Sequence, residues 1–91
     1  MAQVGWSSAA LRQLIDIRAY IAQFDPVAAD RMASRLHDLG ESLADFPRRG
    51  RPARHGLREL ATVPPFVLSY DVEDERVTIL DIRHGARQPP G

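Results

Sequence analysis

The spacing of apolar residues changes along the chain, and each change marks an element. Residues 2–6, Ala-Gln-Val-Gly-Trp, form a short apolar run that predicts a first strand. From Ala9 the pattern turns helical: Leu11, Leu14, Ile15, Ile17, Ile21 and Phe24 share one side, with Arg12, Asp16 and Gln23 on another. Ser7 or Ser8 can N-cap this helix by accepting a backbone hydrogen bond. Asp25-Pro26 then punctuates the chain. Asp is a strong N-cap, and proline in the first helical position loses no needed hydrogen bond. One helix therefore ends near Phe24 and another starts at Pro26. In the second, Ala29, Met32, Ala33, Leu36, Leu39, Gly40 and Leu43 form a stripe against charged residues that include Asp30, Arg35 and Glu41. His37 falls on the polar side. Two amphipathic helices with almost no loop between them predict a helical hairpin. Pro47 and Gly50 stop the second helix.

From Leu57 the period becomes two. Residues 57–63 read as a strand whose first residues are equally acceptable as loop, and Pro64-Pro65 signals a turn. Phe66, Leu68, Tyr70 and Val72 alternate with Val67, Ser69 and Asp71, which predicts a half-buried strand. Residues 73–76 connect it to a last, β-branched strand, 77–83. Consecutive hairpins imply an antiparallel meander. The tail from Gly85 to Gly91 shows no further element. The order strand, helix, helix, strand, strand, strand predicts an α+β fold, a small antiparallel sheet packed against an N-terminal helical hairpin. With 91 residues, one domain spanning 1–91 is expected.

Charge alters this picture. Twelve arginines balance twelve acids, and there is no lysine. An arginine-only basic set also fits a GC-rich genome. The zero sum is uneven, because residues 46–58 hold five arginines (Arg48, Arg49, Arg51, Arg54 and Arg58) and no acid. The rest of the chain carries seven arginines against twelve acids, a net −5. A basic segment sits on an acidic remainder, suited to phosphates or to an acidic protein partner. Without cysteine there is no disulfide, thiolate metal site or thiol nucleophile. His37, His55 and His84 lack zinc-ligand spacing, so neither a metal nor a cofactor is expected. No apolar run approaches the roughly 20 residues that span a membrane. No basic segment precedes an apolar core at the N-terminus, and a cytoplasmic protein without a membrane partner is expected.

In this order, several short stretches are similar to the ParE/RelE superfamily of bacterial type II toxins. They are Trp6, Tyr20-Ile21-Ala22 followed by Asp25-Pro26, Ala28-Ala29, Phe46-Pro47 with Gly50-Arg51-Pro52, and Gly56-Leu57-Arg58-Glu59-Leu60. The aromatic-apolar strand Phe66–Val72 and the closing Val77-Thr78-Ile79-Leu80-Asp81-Ile82-Arg83-His84-Gly85-Ala86-Arg87-Gln88 complete the set. The resemblance covers nearly the whole chain and implies the same fold. It implies a toxin held inactive by a cognate ParD-like antitoxin, whose toxin-binding segment would be acidic where it meets Arg48–Arg58. It also implies one of two targets. ParE-like members poison DNA gyrase, whereas RelE-like members cut messenger RNA in the ribosome.

Individual residues separate the branches. Metal-free RNA cleavage needs a base for the 2′-hydroxyl, cations for the phosphate and an acid for the leaving oxygen. RelE-like toxins supply these with lysines, arginines and often a tyrosine or histidine near the C-terminus. Here there is no lysine, Val67 stands where such toxins carry arginine after the aromatic, and no tyrosine follows Arg87. Arg87 matches a cationic position, and His84 or His55 could act as base or acid. The residues favour a ParE-like gyrase inhibitor that is not an enzyme. The alternative is a metal-independent endoribonuclease using Arg58, His84 and Arg87. The candidate target- or partner-binding set is Arg48, Arg49, Arg51, Arg54, Arg58, Arg83, His84 and Arg87. Arg58-Glu59 could also be structural, each pairing with neighbours because adjacent strand residues point to opposite faces. Trp6 and Tyr70 read as core, and Glu59 as a general base would be a lone carboxylate with no obvious partner.

Overall fold

The computed structural model describes residues 1–85. Within them, β1 spans Gln3–Trp6, α1 Ser8–Ala22, α2 Pro26–Glu41, β2 Arg51–Pro52, β3 Arg58–Val63, β4 Phe66–Glu73 and β5 Arg76–His84. The α+β architecture and the expected element order are both present. The helical hairpin packs on one face of the sheet, α1 against β5 and α2 against β3.

Capping chemistry sets the helix starts. Ser7 is extended, and its hydroxyl accepts from the Ala10 N–H at 3.0 Å. The Asp25 carboxylate accepts from the Ala28 N–H at 3.1 Å, with Pro26 in the first turn. On α2 the expected stripe faces inward: Ala29, Leu36, Leu39 and Gly40 are buried, and Leu43 is buried in the turn that follows. On α1 the stripe divides. Ala10 is buried and Leu14, Ile17 and Ile21 are half-buried, while Leu11, Ile15 and Phe24 are exposed.

The sheet runs in the order β1-β5-β4-β3-β2. Strands β3 to β5 form the expected antiparallel meander, and β2 adds to it antiparallel on β3. Strand β1 joins it parallel to β5, from Gln3 opposite Arg76 to Trp6 opposite Ile79, so the sheet is mixed. Alternation within a strand does not reveal which edge it joins or in which direction, so this pairing lay beyond the sequence pattern. The short β2 forms inside the stretch read as loop, with Arg51 opposite Glu59. Pro52, which has no N–H to offer a neighbour, is tolerated on this edge strand.

Two register shifts reconcile the apolar pattern with a single buried face. Ile79 and Ile82 are both buried although three residues apart, which in a regular strand would put them on opposite faces. Between them Ser69 pairs with Asp81 and Tyr70 with Ile79, leaving Leu80 as the extra residue of a bulge. A second shift between Leu60 and Val63 does the same for β3. Strand β4 differs from the half-buried strand expected. Val67, Leu68, Ser69 and Tyr70 are all buried, because β4 is the central strand and its far face is also covered.

Where β1 ends, two side chains satisfy the open edge of β5. The Ser7 hydroxyl donates to the Leu80 carbonyl at 3.1 Å. Gln13 accepts from the Ile82 N–H at 2.7 Å and donates to the Asp81 carboxylate at 2.9 Å. Thus α1 is tied to the sheet by hydrogen bonds as well as by packing. The core they enclose centres on Tyr70, Leu36, Leu43, Leu68, Ile79 and Val77. No helix among the described residues is long and apolar enough to cross a membrane.

Candidate functional site

The basic segment is an ordered structure built on the start of β3. Arg58 faces the same side as Tyr70, its partner across the ladder. Its guanidinium donates to the backbone carbonyls of Gly50 at 2.8 Å and Arg48 at 3.2 Å. The Gly50 N–H donates to the Tyr70 hydroxyl at 2.9 Å. These three bonds hold residues 48–50 against the end of the sheet. The Ala53 N–H closes the next turn on the Leu57 carbonyl at 2.8 Å, with His55 and Gly56 at positive φ between them. The outcome is a rigid base that displays exposed Arg48, Arg49, Arg51 and Arg54. Arg49 donates to the Ser42 hydroxyl at 2.9 Å and Arg51 meets Glu59. Among the described residues, Arg48 and Arg54 have no ion-pair partner.

The face of the sheet turned away from the helices carries a second group. Glu59, Ser69, Asp81, Val67 and Arg83 share it through the register of β3, β4 and β5. Arg83 Nη2 donates to Glu59 Oε2 at 2.6 Å, and Arg83 Nη1 donates to Ser69 Oγ at 2.9 Å. Arg51 Nη2 reaches Glu59 Oε1 at 3.3 Å, and Asp81 lies 3.8 Å from Arg83. Glu59 is therefore a shared partner of two arginines. Its partners are the neighbours that a structural pairing requires, but they come from β2 and β5, and only the register brings them in. The Arg83 hydrogen bond is the main reason the Glu59 carboxyl sits below its ordinary 4.5; partial burial opposes it, and the charges of Arg83 and Arg51 add to it.

This network has a stability consequence with a definite sign. A carboxylate whose pKa is lower in the folded chain stabilises it above the ordinary value and loses that contribution as the pH falls through the lowered one. Glu59→Gln is expected to cost about 1–3 kcal/mol at about pH 7. The gap to the unmodified protein should narrow as the pH falls below the ordinary carboxylate value of Glu59. Urea melts of both proteins across that range check this, and a pH-independent gap would rule the pairing out as its cause.

Among the described residues, the remaining candidates do not converge. His84 lies opposite Phe66 in the register, and Arg58 lies opposite Tyr70. Four residues of β4 separate the two levels, roughly 13 Å at about 3.3 Å per residue. Moreover, Arg83 and His84 fall on opposite faces. The His84 ring meets Phe66 edge-on at 5.8 Å and lines a groove of ≈ 540 Å³ with Gln13, Asp16, Ile17, Tyr20 and Met32. His55 is exposed beyond Arg54 in the basic segment. Arg87 lies outside the described residues. Trp6 is half-buried rather than core. Its indole N–H donates to Glu41 at 2.9 Å, and its ring stacks on His37 at 5.6 Å, so His37 is exposed yet engaged. Sequence reasoning missed Ser69 and Gln13 as polar partners. Ser69 offers one signal, a lone small polar residue in an otherwise apolar strand.

A helical hairpin thus packs on a small mixed sheet, with an arginine-bearing loop at one sheet edge. The sequence profile of the family described as "ParE toxin of type II toxin-antitoxin system, parDE" matches residues 4–89. The protein named "Toxin RelE2" of Caulobacter vibrioides is 55% identical over 87 residues, spanning 96% of this chain and 99% of that protein. The solved structure titled "Chromosomal ParDE TA system from P. aeruginosa" shares the fold, with a TM-score of 0.81 at 24% identity over 92% of this chain and 96% of that one. The chain belongs to the ParE toxin family. It is the toxin of a ParDE-type toxin–antitoxin system, and a cognate antitoxin is its partner.

Proposed function

We propose that this toxin acts in the cytoplasm by binding DNA gyrase, without hydrolytic chemistry, and is neutralised by a ParD-like antitoxin. One observation carries the reading: among the described residues, the arginines on the sheet that could serve RNA cleavage, Arg58 and Arg83, are spent on the protein itself. Arg58 is directed into two backbone carbonyls, and Arg83 into Glu59 and Ser69. Val67, where RelE-like nucleases carry arginine, is apolar and 5% exposed. Base, cation and acid must surround one phosphate to cleave it. Arg58, Arg83 and His84 point to three different surroundings.

The alternative reading is a ribosome-dependent endoribonuclease using His84 and Arg87. In its favour stands the name RelE2 of the 55% identical relative. Induction of the chain without an antitoxin distinguishes the two. Filamenting cells with intact messages are expected. New codon-linked 5′ ends in primer extension would overturn the gyrase reading.

The antitoxin segment has two features to satisfy. Tyr20, Phe24 and Val27 are exposed apolar residues, and Tyr20 also lines the groove between α1 and the Pro65-Phe66 turn. A folding-on-binding segment with apolar anchors would cover this surface. Its acidic part would meet Arg48 and Arg54. Reversing both to glutamate is expected to weaken antitoxin binding about tenfold or more, chiefly through slower association at low salt. Calorimetry and stopped-flow kinetics at two salt concentrations check this, and an unchanged complex would remove the basic loop from the interface.

A further inference from the structure

Two arginine side chains that reach toward one point on a sheet face would ordinarily make an anion site. Each guanidinium presents a planar fork of donors that fits a phosphate. On the far face of this sheet the fork of Arg83 is filled from within, by Glu59 at 2.6 Å and by Ser69 at 2.9 Å. The second Glu59 oxygen is turned to Arg51 at 3.3 Å. Asp81 lies 3.8 Å from Arg83. Arg51 and Arg83 contribute two positive charges, and Glu59 and Asp81 two negative ones, so the set is neutral. The Glu59 and Arg83 side chains are only 16% and 27% exposed, which limits screening by salt. A phosphate entering here would have to displace a carboxylate and then sit beside it, uncompensated.

We infer that Glu59 is a specificity-determining residue that excludes nucleic acid from this face, occupying with a protein carboxylate the place where a phosphate would bind Arg51 and Arg83. The inference rests on the reading of a protein target, because a ribonuclease would need such arginines for its substrate. The geometry also argues against a purely structural purpose. The arginines approach from opposite sides, Arg51 from the adjacent β2 and Arg83 from β5 beyond β4, and Ser69 alone could orient Arg83. Glu59 is the carboxylate that meets both guanidinium groups.

The test is the affinity for a short fluorescein-labelled single-stranded RNA, followed by anisotropy over a range of salt. Three forms are compared: the unmodified toxin, Glu59→Gln, and Glu59→Gln combined with Arg83→Gln. Glu59→Gln is expected to bind about tenfold more tightly at low salt. Its plot of log K against log salt should steepen by about 0.7 for each phosphate engaged, hence by up to about 1.4. Adding Arg83→Gln should return both quantities to the unmodified values, which a merely structural role for Glu59 would not produce. If Glu59→Gln does not fold by circular dichroism, Glu59→Thr, with a β-branched side chain suited to a strand, takes its place. Equal RNA affinity of the folded neutral variant and the unmodified toxin would overturn the inference. The gyrase measurement uses unmodified toxin only, so its failure would be recognised separately from a failure here.

Discussion

Gly40→Leu should destabilise the protein by about 3 kcal/mol or more and lower its melting temperature sharply. Gly40 is the point where α2 meets the sheet. A β-carbon built there would overlap the Trp6 ring and stand 2.6 Å from the Ile79 side chain, closer than real contacts allow. Whether the neighbours can yield decides the outcome, and Trp6 is held in place. Its indole is bonded to Glu41 and its ring is stacked on His37, both from α2 itself. Ile79 is fully buried. Overpacking of a well-filled site costs about 1–3 kcal/mol and occasionally more, and a leucine here exceeds the space from its first carbon. About 3 kcal/mol or more is expected, against a total stability on the order of 5–15 kcal/mol. For a chain of this size each kcal/mol lowers the melting temperature by about 4–8 °C. Gly40→Ala should show a smaller loss, since alanine regains about 1 kcal/mol of helix propensity. Thermal melts order the three proteins, and an alanine variant more stable than the parent would mean that Trp6 moves freely.

The second large effect is expected at Tyr70, which is fully buried. Tyr70→Ala removes the ring from the centre of the core and should cost about 3–5 kcal/mol, as for other large aromatics. Tyr70→Phe keeps the ring and removes only the acceptor of the Gly50 N–H. It should cost about 1–3 kcal/mol, the penalty of an unpaired buried donor. The two variants separate packing from anchoring. With the hydroxyl gone, the Gly50 amide is expected to lose its protection from hydrogen exchange while amides in the middle of β4 keep theirs. Urea melts with site-resolved exchange test this, and unchanged Gly50 protection would show that Arg58 alone holds the loop.

Much of the scaffold was legible in the residues. Ser7 and Asp25-Pro26 mark helix starts by chemistry that is local, and α2 carries a stripe that only one buried face explains. The bulges were legible in part. Val77, Ile79 and Ile82 are spaced two and then three apart, a pattern that a regular strand cannot bury on one side. The parallel docking of β1 was not legible, because it depends on where the hairpin delivers the chain. The site was less readable than the fold. Arg83 and His84 are neighbours in sequence, yet strand alternation sends one to the far face and the other to the groove. Arg58 looked available and is engaged by carbonyls eight and ten residues away in the chain. Glu59 looked isolated and proved to be the centre of the charge network. In each case the partner lies on another strand, so the pairing exists only once the register is set.

These engagements bear on the central claim, that this toxin disables a protein target rather than cutting RNA. The direct measurement is the supercoiling of relaxed plasmid by purified DNA gyrase with saturating toxin, with and without its antitoxin. Supercoiling should slow markedly with toxin alone and recover when the antitoxin is added. Normal supercoiling at saturating toxin would contradict it.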